Sequence, residues 1–165
     1  MNRVASMNDQ TNDVANVRRL QLKKRSASRL MAVQALYQAV LQEEPLYKVC
    51  ADFTQEPMVS LLRSESIVGD ADYFKALLEP FIAQDLTLFD AKIQGLLTPQ
   101  WHFERLEPLL LALLRAASSE LFVKKEVPQA LIINEYVTLT HGFFSQKEPA
   151  LVHAVLDKMA LQLRS

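Results

Sequence analysis

Six cations fall between Arg18 and Arg29 with no acid among them: Arg18, Arg19, Lys23, Lys24, Arg25 and Arg29. Clustered Lys and Arg side chains do one kind of chemistry well. They neutralise phosphates, and each such contact releases counterions and makes binding salt dependent. Through residue 29 the chain carries seven bases against Asp9 and Asp13, a net of +5, and the other eleven bases and seventeen acids leave the remainder at −6. A basic arm on an acidic body points to a polyanion partner. On composition alone, a merely solvated chain end remains the alternative reading.

The residues that follow the arm favour nucleic acid. Gln34, Tyr37 and Gln38 place amides and an aromatic ring beside the cations, the groups that hydrogen-bond to and stack on unpaired bases. On helical spacing Lys23, Leu30, Gln34 and Tyr37 or Gln38 lie along one strip, with Arg25 and Arg29 on the neighbouring one. Tyr37 also shares the apolar stripe of Leu30, Val33 and Leu41, so it reads equally well as a core residue.

Catalytic readings find little support. Glycine occurs only at 69, 95 and 142, so no Gly-rich loop cradles a nucleotide phosphate, and no cofactor is expected. His102, His141 and His153 have no metal-ligand spacing with one another or with Cys50. His153 and Asp157 are four residues apart and could orient a base, although an ion pair on a wet helix face is the commoner outcome. The lone Cys50 forms no intrachain disulfide and reads as a buried, inert thiol in a reducing cytoplasm.

Helices must position these groups. The chain has 165 residues, enough for one domain with a sizeable core, and its 50% hydrophobic residues with few glycines favour helix over sheet. Residues 1–19 read as a disordered leader without the apolar run of a signal peptide, and 20–165 as one domain. Apolar positions recur at helical spacing through Leu30–Leu41, Leu109–Leu121, Ile132–Phe143 and Leu151–Leu163. Thr98-Pro99, Glu107-Pro108 and Glu148-Pro149 read as helix starts, and Asp70 or Asp72 as the cap of a helix that Pro80 must kink or split. A short helix is expected over Leu46–Phe53, followed by a variable loop to Gly69. No run approaches the roughly 20 apolar residues of a membrane span, so a soluble protein is expected. The fold class is all-α, a bundle of about seven helices in two packed subdomains.

Ser28-Arg29 followed by Ala32-Val33-Gln34-Ala35-Leu36-Tyr37-Gln38 resembles the opening helix of the bacterial transcription antitermination factor NusB family. Leu114-Arg115-Ala116-Ala117 with Glu120-Leu121 resembles that family's Leu-Arg-x-Ala-x-x-Glu-Leu helix. Val127-Pro128 leading to Ile133-Asn134-Glu135, and Val155-Leu156-Asp157-Lys158, resemble its later signatures in the same order. Together these motifs cover about residues 23 to 164.

The resemblance implies recognition of boxA RNA in rRNA transcripts, jointly with NusE, a small-subunit ribosomal protein. Contact with the RNA polymerase elongation complex would run through other Nus factors, without catalysis. Carried over by position, the RNA face comprises Lys23, Lys24, Arg25, Arg29, Gln34 and Tyr37, with His153 nearby, and Arg115 and Glu120 belong to the partner-binding surface. A homodimer is left open. Leu151-Val152-His153-Ala154 departs from the family's Phe-Val-Asn-Gly, and Ser119 stands where a tyrosine is common. The related domain fused to rRNA cytosine methyltransferases is a rival, but this chain has no room for the second domain. A protein-only helical scaffold is another.

Overall fold

A computed structural model describes residues 3–55 and 69–165 of the chain. Among the described residues there are seven α-helices and no strand: α1 (Arg3–Leu41), α2 (Leu46–Gln55), α3 (Ala71–Ala83), α4 (Asp90–Leu96), α5 (Pro108–Val123), α6 (Gln129–Phe143) and α7 (Lys147–Arg164), with a 3-10 turn at Phe103–Arg105. The loop expected before Gly69 falls largely outside the described residues.

The helices form two groups. α1, α2 and α3 pack on one another, α5, α6 and α7 do the same with α4 laid on α7, and α5 joins the groups by packing on both α1 and α3. One continuous core runs through both. Alanines make the junction close: Ala32, Ala35 and Ala39 of α1 and Ala112, Ala116 and Ala117 of α5 are all buried, and small side chains let helix axes approach. Phe53 stacks on Phe74 at 5.8 Å between ring centroids and ties α2 to α3. Phe89 meets Phe81 edge-on at 5.6 Å and Phe122 at 6.0 Å, linking α3 and α5 at the start of α4.

α5 is buried without a gap from Ala112 to Leu121. A helix enclosed on every face must satisfy each polar group it carries. Ser118 Oγ donates to the Leu114 carbonyl at 2.7 Å and Ser119 Oγ to the Leu77 carbonyl at 2.5 Å. Ser119 is therefore a link to α3.

Capping logic holds at some ends and yields at others. Asp70 caps α3 through Oδ1, which accepts from the Tyr73 N–H at 3.1 Å, and Pro108 opens α5 as expected. α7 starts at Lys147, so Pro149 sits within its first turn. Thr98-Pro99 starts no helix. It forms a turn closed by Trp101 N–H on the Thr98 carbonyl at 2.9 Å, because proline suits the second position of a turn as well as a helix start. Past Pro80 the helix is split and not merely kinked: α3 ends at Ala83, and Asp85 Oδ1 accepts from the Thr87 N–H and hydroxyl at 2.7 Å in the turn before α4. Proline offers no N–H to the carbonyl a turn earlier, and an aspartate turn provides the exit.

α1 takes in residues 3–19, the stretch that composition reads as a disordered leader. From Asp9 to Lys24 every residue is exposed, so no core packing supports this part of the helix. Its C-terminal end closes on Glu43, held at φ 53°, with Glu44 N–H on the Ala39 carbonyl at 3.1 Å. That left-handed position usually takes glycine.

Candidate nucleic-acid interface

Around the axis of α1, Lys23, Leu30, Gln34 and Tyr37 fall within roughly 60° of one another at 100° per residue. The opposite side carries the buried face of Ala32, Ala35, Leu36 and Ala39. Arg18, Arg19, Lys23 and Lys24 are exposed, and Gln34 and Tyr37 are half-buried. Tyr37 packs one side of its ring on the core and keeps part of it open, so the two readings of this residue are compatible. The outer face of α1 thus presents cations followed by an amide and a ring.

Arg25 and Arg29 do not lie beside this strip. They are turned toward the body, and the expectation that Arg29 faces RNA is corrected by its burial at 1% exposure. Its Nε donates to both oxygens of Glu120 at 3.0 Å and its Nη2 to Oε1 at 2.7 Å. Glu120 is itself 0% exposed, so it forms no part of an open partner surface. Tyr73 Oη donates to Glu120 Oε1, and Tyr136 Oη to Oε2 at 2.8 Å. Arg29 Nη1 also lies 3.5 Å from Glu135 Oε2, which accepts from Ser26 Oγ at 2.8 Å. Charges so far from water survive only when paired and hydrogen-bonded, and here α1, α3, α5 and α6 each supply a member. Burial opposes the Arg29 charge, but the hydrogen bond and charge of Glu120 more than offset it, so the guanidinium titrates above the ordinary arginine range. Burial, then the charge of Glu120, push the Tyr73 and Tyr136 phenols up.

Arg115 is likewise removed from the expected partner surface. At 7% exposure, it grips Asp90 of α4 with Nε on Oδ1 at 2.9 Å and Nη2 on Oδ2 at 2.7 Å. This bidentate pair fixes α4 against α5. A basic residue inside an apolar helix cannot remain unpaired, and the nearest available acid is on the neighbouring helix.

The ring of Tyr73 collects three cations. Lys124 Nζ stands 4.7 Å from its centroid, Arg25 Cζ 5.2 Å and Arg29 Cζ 5.6 Å. Beside it a groove of about 330 Å³ runs between Arg18, Gln21 and Arg25 of α1 and Glu126, Val127 and Pro128 of the α5–α6 turn. His153 lies elsewhere. It is exposed, pairs with Asp157 at 3.3 Å, and lines a separate groove of about 280 Å³ with Ile133, Asn134 and Val137 that shares no residue with the first. Cys50 is buried, and burial with the charge of Glu79 pushes its thiol up to about 11, far from a reactive thiolate.

Tyr73, Lys124, Tyr136 and Arg164 escaped sequence reasoning. The pairing signal was present in part: Glu120 and Arg115 stand in an otherwise apolar helix, and a charge there demands a partner. Nothing local named the partners.

The family model described as the NusB family matches residues 26–161. The transcription antitermination protein NusB of Allorhizobium ampelinum is 37% identical over 142 residues, covering 86% of this chain and 88% of that protein. That of Bartonella tribocorum is 38% identical over 142 residues, covering 86% and 90%. A solved structure of T. maritima NusB superposes with a TM-score of 0.65 at 21% identity, over 86% of this chain and 93% of that one, which supports the fold. With the motifs in order on an all-helical body, and a family match that takes in the buried Arg29–Glu120 centre, the chain belongs to the NusB family of transcription antitermination proteins.

Proposed function

We propose that this protein binds boxA RNA of rRNA transcripts together with NusE, as a recognition factor without catalytic chemistry, and reaches the RNA polymerase elongation complex through other Nus factors. The observation that carries this reading is the exposed run Arg18, Arg19, Lys23 and Lys24 on a helix whose outer face continues into Gln34 and Tyr37. Cations there steer and hold the backbone of a single strand, and the amide and ring meet its bases. The acidic body, at −6 beyond residue 29, complements a basic ribosomal protein and gives it a surface to share with the RNA.

Within this reading Arg29, Glu120 and Arg115 shape the interface from inside, and His153 contributes only if the strand extends to the groove between α6 and α7. The test is binding of labelled boxA RNA with and without NusE by the parent protein and by Arg18→Ala/Lys23→Ala/Lys24→Ala. The expected outcome is weaker binding with a log–log salt slope flatter by ~0.7 for each phosphate that is no longer neutralised. Parental affinity and slope in the triple variant would remove the arm from the mechanism. Retained binding to NusE with no RNA binding by either protein would favour a protein-only scaffold.

A further inference from the structure

We infer that Lys124, in the turn between α5 and α6, is an RNA-phosphate ligand that works with Arg25 across the Tyr73 ring. The inference rests on the RNA-binding reading above and extends the interface from the arm onto the body.

Three cations meet at Tyr73, but only Arg29 has its charge matched by a buried carboxylate. Arg29 is committed to Glu120. Arg25 is half-buried, and its Nε, enclosed by protein atoms, has no hydrogen-bond partner. Lys124 is also half-buried, and the carboxylate beside it is that of Glu126, 4.0 Å away on a side chain that is 68% exposed. Two cations held against one ring repel each other, and partial burial reduces the water that would screen them. An anion seated between them relieves that repulsion. The groove lined by Arg18, Gln21 and Arg25 is closed on its other side by Glu126, Val127 and Pro128 of the same turn, so a strand following the arm is led toward Lys124.

The seat is rigid because another residue holds the turn. Arg164, from the end of α7, donates Nε to the Leu121 carbonyl at 2.9 Å, Nη2 to the Lys124 carbonyl at 2.7 Å and Nη1 to the Val127 carbonyl at 2.7 Å. These include the Leu121 carbonyl, which the end of α5 leaves without a backbone partner. One guanidinium thereby fixes the backbone on both sides of Lys124 and aims its side chain before any ligand arrives. Arg164 is a positioning residue here, with no contact to the ligand.

Labelled boxA RNA is titrated, in the presence of NusE and over a series of salt concentrations, into Lys124→Met, Lys124→Arg, Lys125→Met and the arm triple variant. Lys124→Met is expected to bind about tenfold more weakly, the lower end for a charge-assisted hydrogen bond, with a salt slope reduced by ~0.7. Lys124→Arg, which keeps the cation, restores both, and a failure to restore overturns the assignment. Lys125→Met serves as the neighbouring charge control and binds as the parent does. Parental affinity and slope in Lys124→Met overturn the clamp. If the arm variant then still loses RNA, the broader reading survives, and if the arm variant also binds normally, that reading falls separately.

Discussion

Two cationic side chains do opposite work five residues apart on one helix. Lys24 is exposed midway along α1, whereas Arg29 is enclosed with Glu120, Tyr73 and Tyr136. Arginine suits that enclosed position because its planar fork meets both carboxylate oxygens at once, which the compact ammonium of a lysine cannot do. Removing one partner leaves the other as an uncompensated buried charge. Arg29→Met and Glu120→Gln are therefore each expected to lower unfolding stability by about 3 to 5 kcal/mol, read from urea denaturation. A loss below about 1 kcal/mol in both, the range of an exposed pair, would show that the pair contributes little. Any fall in RNA affinity in these variants should track the loss of folded protein, which separates them from Lys124→Met.

The helices owe their ends to local chemistry and their positions to α5. Pro108 and the Asp70 cap act through neighbouring backbone alone, so both are legible in sequence. Thr98-Pro99 misleads because a turn and a helix start ask the same of proline, and the packing of Trp101 on the core decides between them. At the end of α1, Glu43 occupies a left-handed conformation that a side chain with a Cβ disfavours. Glu43→Gly is expected to raise stability by up to about 1 kcal/mol, since relief of strain exceeds the entropy glycine adds to the unfolded chain. A matched pair of thermal melts checks this, and a lower melting temperature would mean that the Glu43 side chain makes a compensating contact.

At the scale of the whole molecule four titrating groups of the interior act in one direction. Cys50, Tyr73, Tyr136 and Arg29 all hold their protons more tightly when folded than their ordinary values allow. A folded-state value above the unfolded one adds stability that is fully present below the unfolded value and is lost as pH rises through the folded one. The ordinary values are 9.0 for the thiol and 10.0 for the phenols, so stability is expected to be independent of these groups below pH 9 and to fall steeply above 10. Unfolding midpoints measured across alkaline pH check this, and Tyr73→Phe/Tyr136→Phe should flatten the fall. What the sequence by itself determined was everything carried by neighbours along the chain. The periodicity of α1, α5, α6 and α7, the count and location of the basic arm and the ordered family motifs depend only on residue type and spacing. Which cations face water depended on tertiary structure, because exposure is set by what another helix brings opposite. Arg29 and Lys24 look alike until Glu120 arrives from α5, and Lys124 acquires a purpose only when the fold lays its turn against Tyr73 and Arg25.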